Sequence, residues 1–167
     1  MRSSYVTRAL KVAGAFVLLV GAAAPVSAQT DASLAATARV ENNCKITAGS
    51  VVFDLYDPIG ANDSAALNGS GALTVQCTRG ASPRIQLDAG ANENGTQRRL
   101  HSGGWYLDYR LFSDSGRSNE LTPSTWFEMG TAPSKAPRTQ TVYASIAGNQ
   151  DVPAGTYSDT VLATVDF

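Results

Sequence analysis

The chain is poor in the side chains on which most enzymes depend. Its 167 residues include one histidine and two cysteines, and only 16% of them are charged. A single histidine excludes a metal centre built from several histidines. The sequence also lacks a glycine-rich phosphate loop, a C-x-x-C redox pair and a G-x-S-x-G nucleophile turn. These absences predict a protein that is not an enzyme, with no metal site and no cofactor.

Long apolar runs are equally scarce, and the one present lies near the beginning. Arg2, Arg8 and Lys11 precede an apolar run over 12–24, and small residues at 26–28 suit a signal peptidase. We therefore predict a secretory signal at 1–28. The signal holds three of the 13 basic residues and none of the 14 acidic ones, so the mature net charge is −4. This balance argues against nucleic acid as a partner, and no later run is long enough for membrane insertion.

The rest of the chain has the period of β-strands. Apolar residues alternate with polar ones in many short runs that glycine and proline separate, which predicts an all-β sandwich. Outside the signal no apolar pattern has the helical period. The predicted strands lie at 34–40, 44–46, 51–56, 73–77, 85–89, 105–111, 126–129, 142–146 and 161–167. The small polar residues at 59–71 predict a long loop, and 98–104 is turn-like.

The two cysteines are expected to pair. Cys44 and Cys77 both lie on alternating runs of an exported chain, where one disulfide is the usual state of two cysteines. The alternative is two free thiols.

The remaining candidates for chemistry have simpler structural interpretations. His101 lies in a turn-like stretch and is expected at the surface, and scattered carboxylates such as Asp54, Asp57 and Asp108 are expected to form turns or face solvent. The pair Arg98 and Arg99 is interpreted as a solvated turn. Trp105 and Trp126 would be able to stack on a sugar, but core or groove-lining positions are commoner for tryptophan in a small sandwich.

Several motifs resemble one known family. They are ATARVENNCKIT, FDLYDP, LTVQCTRG, RRL, LDYRLFSD and the C-terminal GTYSDTVLATVDF. Together they cover the mature chain and resemble the spore coat protein U-like family, the Csu-type subunits of archaic chaperone–usher pili. The chain departs from the family pattern at Asp54, where glycine is usual, and at Phe112, where tyrosine is common.

The resemblance implies an incomplete immunoglobulin-like β-sandwich that is completed by a donor strand. A periplasmic chaperone would fill the open groove first, and the N-terminal extension of the next subunit would replace it. The donor strand would insert one parity of its side chains, namely Leu34, Ala36, Ala38 and Val40. The C-terminal strand would border the groove with Val161, Ala163, Val165 and Phe167. The alternative is that 34–40 is the first strand of the chain's own sheet.

The predicted organisation is a signal at 1–28, a donor extension at 29–41 and a pilin domain at 42–167. The predicted function is that of a structural pilus subunit in a cell-surface fimbrium for adhesion and biofilm formation. Its partners would be neighbouring pilin subunits, a periplasmic chaperone and an outer-membrane usher. A rival function is a self-contained secreted sandwich that binds carbohydrate, and a small secreted hydrolase is a third.

Overall fold

Eight strands make up the regular structure of the described residues. The computed structural model describes residues 25–167, and most of the predicted signal lies outside them. The strands are β1 (Cys44–Ala48), β2 (Leu67–Cys77), β3 (Arg84–Leu87), β4 (Arg98–Ser102), β5 (Trp105–Phe112), β6 (Trp126–Glu128), β7 (Arg138–Ile146) and β8 (Ala163–Asp166). There is no helix between residues 25 and 167, and so none there that would span a membrane.

The strands form two antiparallel sheets. The five-stranded sheet has the order β1-β2-β7-β5-β4, and the three-stranded sheet has the order β6-β3-β8. Strand β7 lies between β2 and β5, with Leu67 opposite Ile146 on one side and Tyr109 opposite Ile146 on the other. This arrangement is an all-β sandwich, as the alternation predicts.

The core follows directly from the period of two. Along β5 and β7 every second residue is buried, so that Leu107, Tyr109 and Leu111 face the other sheet, and Phe112 at the end of β5 is buried as well. Each such side chain contributes about 1.5–3 kcal/mol on full burial. The remaining core is supplied by β2, β3 and β7, chiefly Leu73, Val75, Ile85, Leu87, Val142, Ala144 and Ile146.

The cysteines are joined as predicted. Cys44 and Cys77 lie opposite each other on β1 and β2 and form a disulfide. Both strands belong to the five-stranded sheet, so the bond fixes its edge and does not link the two sheets.

The predicted loop at 59–71 is wrong in its second half. Strand β2 begins at Leu67 and contains Gly69 and Gly71. Residues 67–71 have the composition of a loop because the segment before β2 passes very close to this part of the strand and leaves room only for small residues. A Cβ atom on Gly71 would lie 2.7 Å from the Ser50 carbonyl oxygen, so glycine is required there.

Three other local predictions differ from the structure. Residues 34–40 form no strand and are exposed. The predicted strand at 51–56 is reduced to a single bridge between Val52 and Ser70. The turn-like stretch at 98–102 is strand β4.

The chain also divides into two compact units. The first ends at Ala38, and the second runs from Arg39 to Phe167 and contains all the strands found among residues 25–167. From residue 25 to residue 43 the chain has no regular secondary structure.

Candidate functional site: an open groove between the sheets

A large apolar groove opens between the two sheets. Its volume is about 980 Å³, and its floor is the inward face of the five-stranded sheet. The floor residues include Leu73, Leu107, Tyr109, Val142 and Ile146, which belong to β2, β5 and β7. The segment 48–59 forms one wall, and the segment 152–161 with Ala163 forms the other.

One edge of the three-stranded sheet faces this groove. Strand β8 pairs with β3 on one side, and no other described strand pairs with its second side. Ala163, at the start of β8, and Val161, two residues before it, line the groove. An unpaired strand edge beside an apolar surface is a template for the addition of another strand.

The wall at 48–59 starts as a continuation of β1. The Gly49 amide donates to the Ala72 carbonyl oxygen at 2.8 Å, and the Val52 amide donates to the Ser70 carbonyl oxygen at 3.1 Å. Phe53 then turns into the core, where its ring meets the Tyr109 ring edge-on at 6.3 Å between centroids. The wall is thus attached to the floor by backbone pairing and by one aromatic contact.

A buried asparagine fixes the end of the same wall. Asn62 accepts a hydrogen bond from the Asp57 amide through Oδ1 (2.9 Å) and donates through Nδ2 to the Ala65 carbonyl oxygen (3.1 Å). The Tyr56 hydroxyl donates to the Ala147 carbonyl oxygen (3.0 Å). This loop is therefore a rigid part of the groove, because its polar groups are satisfied within the fold.

The opposite wall crosses from one sheet to the other. Ser158 exchanges two backbone hydrogen bonds with His101 of β4, at 2.9 and 3.1 Å, whereas β8 pairs with β3. Asp159 lies at the crossing point. Its carboxylate accepts a hydrogen bond from the Tyr109 hydroxyl at 2.8 Å and two more from Asn92. Burial, reinforced by this contact with Asp159, raises the pKa of Tyr109, so the hydroxyl stays a donor.

A buried arginine links the two sheets next to this wall. Arg98 of β4 donates to the carbonyl oxygens of Leu87 (2.7 Å), Asp88 (2.7 Å) and Leu121 (2.6 Å). Burial lowers its pKa below the usual value for arginine. The interpretation of Arg98 as part of a solvated turn is wrong. One feature of the sequence indicates the buried position. Arg98 lies two residues before Leu100, so on a strand both side chains point to the same, inward face of β4.

The predicted groove-edge residues lie along β8 and its ends. Val161, Ala163 and Val165 are half-buried and pack against the core, while Phe167 is largely exposed beyond the strand. Val161 and Ala163 alone of these four line the groove.

The predicted donor residues occupy an exposed segment. Leu34 is 95% exposed and Val40 is 82% exposed, and Ala36 and Ala38 are exposed as well. Large apolar side chains in such positions lack the burial that their alternation predicts.

The candidates for enzymatic chemistry remain apart. His101 is partly exposed beside the β4–β5 turn, where its Nε2 accepts a hydrogen bond from the Gly104 amide (3.2 Å). Among residues 25–167, no three side chains of the metal-binding types come together. Trp105 is exposed, and Trp126 is half-buried with the Arg84 guanidinium 4.6 Å from its ring centre.

The fold and the groove define a class of protein. The chain is an incomplete immunoglobulin-like β-sandwich, whose second sheet ends beside an open apolar groove. The profile of the Spore Coat Protein U domain matches residues 30–164, which is most of the chain, and the protein belongs to this family. The resemblance carried by the sequence motifs is thereby confirmed.

Two known proteins are similar to it. Protein U of Myxococcus xanthus is 30% identical over 155 residues, covering 84% of this chain and 87% of that protein. A chain in the crystal structure of the CsuC–CsuE chaperone–tip adhesion subunit pre-assembly complex, from archaic chaperone–usher Csu pili of Acinetobacter baumannii, has a TM-score of 0.57 and 26% sequence identity. That likeness covers 77% of this chain and 40% of the other.

Proposed function

We propose that this protein is a structural subunit of an archaic chaperone–usher pilus and polymerises by donor-strand exchange. One observation carries the proposal. The chain has an apolar groove beside an unpaired strand edge, and it also has an exposed segment with the alternation of a half-buried strand. The groove offers an apolar floor and a free strand edge, and the segment offers a strand with one apolar face. Neither has such a partner among the described residues of a single chain.

The groove has the chemistry that strand addition needs. A strand inserted beside β8 would pair its backbone with the free edge and place alternate side chains on the apolar floor, which is the β-augmentation mode of pilins. The residues of the floor are already in position, since they belong to regular strands. The wall that Asp159 and Tyr109 fix borders the same opening.

The extension at 29–41 has the chemistry of the inserted strand. Leu34, Ala36, Ala38 and Val40 would enter the groove, and the intervening residues would face outward. A segment with no partner strand makes no ladder of hydrogen bonds, so its lack of regular structure in a single chain agrees with this role. The proposed organisation is therefore an export signal at 1–28, a donor extension at 29–41 and a strand-accepting domain at 42–167.

The partners follow from the same proposal. The Acinetobacter structure is of a chaperone and a tip adhesion subunit before assembly. For this chain we propose a periplasmic chaperone that occupies the groove before assembly, an outer-membrane usher, and neighbouring pilin subunits in the fibre. The fibre would lie on the cell surface and serve adhesion and biofilm formation. The family similarity supports a structural subunit and not an enzyme.

The charge variant Ala36→Asp tests the proposal. An aspartate on the inserted parity would be buried in the neighbouring subunit without a partner, which costs several kcal/mol even for a neutral polar group and more for a carboxylate. The variant should fold on its chaperone, because its own groove is unchanged, and fail to extend a fibre. Thr37→Asp is the matched control, since this side chain would face outward and its charge should cost little.

The measurement is the polymer yield from chaperone-bound subunits of the two variants. A lower yield for Ala36→Asp alone supports the proposal. Similar yields would mean that 34–40 does not insert into a neighbour, and the proposed mechanism would be wrong.

A carbohydrate-binding function is the second candidate because two aromatic side chains beside the β4–β5 turn, Trp105 and Tyr106, are each exposed. Gel filtration of the mature chain expressed alone separates the two. A self-contained lectin elutes as a stable monomer, whereas an incomplete pilin self-associates or is degraded.

A further inference from the structure

Exposed large apolar side chains are concentrated in two segments of the described chain. Two of the ten, Leu34 and Val40, lie in the extension 29–41, and three more lie between residues 52 and 59, whereas Val26 belongs to the predicted signal. Single exposed apolar residues are normal on protein surfaces, but clusters mark interaction sites. In the second segment Leu55 is 86% exposed and Ile59 is 93% exposed, and both line the mouth of the groove. We call these two residues the rim pair.

The rim pair is carried by a loop that the fold holds in place. Asn62 is buried, and it bonds to the Asp57 amide and to the Ala65 carbonyl oxygen. The Asn149 amide donates to the Asn62 carbonyl oxygen at 2.9 Å, and the Gln150 amide donates to the Tyr56 hydroxyl at 3.0 Å. Because folding has already ordered this loop, a partner that covers the rim pair does not need to immobilise its backbone.

The rim pair has a defined place along the groove. Tyr56, between its two members, bonds to Ala147, which directly follows the floor residue Ile146. The loop therefore stands at the end of the floor where β7 finishes. In the exposed segment 34–40 the largest apolar side chains also stand at the ends, at Leu34 and Val40, with alanines between them.

We infer that the rim pair contacts a terminal large side chain, Leu34 or Val40, of the strand that a second copy of this chain inserts. The inference rests on the proposed function and adds two residues that determine affinity for the strand. The occupant is residues 29–41 of the second copy, because that segment bears the other cluster of exposed apolar side chains. The floor receives the alternate side chains, and the rim pair buries the last of them.

The experiment measures capture of a fluorescent peptide of residues 29–41 by the mature chain, refolded at a concentration low enough to keep it monomeric. Leu55→Ser and Ile59→Ser should each raise the dissociation constant about tenfold, since each removes part of a large apolar contact. Both side chains are exposed in the empty subunit, so the melting temperature should not change. Leu162→Ser is the matched control, because Leu162 is 64% exposed but does not line the groove. It should change capture less than twofold.

A second set of peptides identifies the contact. With Leu34→Ala or Val40→Ala in the peptide, the loss caused by Leu55→Ser should disappear for one of the two, because the two side chains are then no longer able to meet. A loss that persists with both peptides overturns the inference.

The outcomes separate this inference from the proposed function. If the unmodified chain captures no peptide, the proposed function fails and the inference fails with it. If it captures the peptide and the rim variants behave like Leu162→Ser, the inference is overturned and the proposed function stands. Rim variants that lower the melting temperature and leave peptide affinity unchanged also overturn the inference.

Discussion

Replacing Arg98 by alanine should cost a large part of the stability of the domain. The side chain is buried and its guanidinium donates to three carbonyl oxygens, two of them on the three-stranded-sheet side at Leu87 and Asp88. A hydrogen bond to a charged group contributes about 1.5–3 kcal/mol, and a buried carbonyl left without a donor costs about 1–3 kcal/mol. Water that enters the space would recover part of this. We therefore expect a loss of about 3–5 kcal/mol, against a total stability of about 5–15 kcal/mol.

The charge alone should not replace the guanidinium. Arg98→Lys keeps one positive charge but offers a single compact ammonium group, which does not reproduce the planar fork that reaches three acceptors. We expect it to recover less than half of the loss. Arg99→Ala is the comparison variant, because Arg99 lies on the other parity of β4 and does not link the two sheets. It is partly exposed, lies over the Tyr106 ring at 4.0 Å, and donates to the carbonyl oxygens of Asn92 (2.9 Å) and Glu93 (3.0 Å). Contacts of this kind near solvent contribute about 1–2 kcal/mol together.

Urea unfolding of the mature chain, followed by tryptophan fluorescence, measures these differences. With a slope of about 1–3 kcal/mol per molar urea, the Arg98→Ala midpoint should fall by about 2 M, and the Arg99→Ala midpoint by less than about 1 M. Equal shifts for the two variants would refute the reasoning, because they would mean that the link between the sheets contributes no more than a surface contact.

Three further predictions concern the groove and the disulfide. Reduction of the Cys44–Cys77 bond, which closes a separation of 33 residues, should lower stability by about 3–4 kcal/mol, and a reduced chain as stable as the oxidised one would contradict this. Tyr109→Phe removes the hydroxyl bound to Asp159 and should cost about 1–2 kcal/mol, with Tyr143→Phe, whose hydroxyl lies outside the groove, as the control. Hydrogen exchange should show the amides of β8 better protected in the chaperone-bound subunit than in the free one, and equal protection would place the chaperone elsewhere.

The sequence predicts those strands best in which one face is buried by the chain itself. Leu107, Tyr109 and Leu111 alternate with polar residues, and β5 buries that parity. The same holds for Val142 and its neighbours in β7. In these strands the local pattern and the tertiary burial agree, so the period alone is sufficient.

The beginning of β2 was not predictable from local composition. The composition of residues 67–71 predicts a loop, because they include asparagine, serine and two glycines. Their strand conformation depends on pairing with β7 and on the close approach of segment 50–53, both of which join residues far apart in the chain. Glycine usually indicates a loop. In β2 it is required instead because the backbone of segment 50–53 passes too close to leave room for a side chain.

Strand β4 and Arg98 were mispredicted for a related reason. Two adjacent arginines indicate a solvated turn if side chains are considered by charge alone. On a strand, adjacent residues face opposite sides, so Arg98 enters the interior while Arg99 faces outward. The carbonyl acceptors of Arg98 are the adjacent Leu87 and Asp88 on one side and Leu121 on the other. Because they come from two separate parts of the chain, no local pattern reveals that the buried charge is satisfied.

The alternation at 34–40 shows what periodicity can and cannot establish. A period of two indicates that one face of the segment is buried against another surface. It does not indicate whether that surface belongs to the same chain or to another. The structure leaves Leu34 and Val40 exposed and leaves one edge of β8 without a strand partner among the described residues. If these two features were unrelated, the chain would carry two separate aggregation hazards, an exposed apolar segment and an open strand edge. In the proposed function, insertion of the segment of one copy beside β8 of the next would remove both at once, and each added subunit would present a new segment for the next insertion.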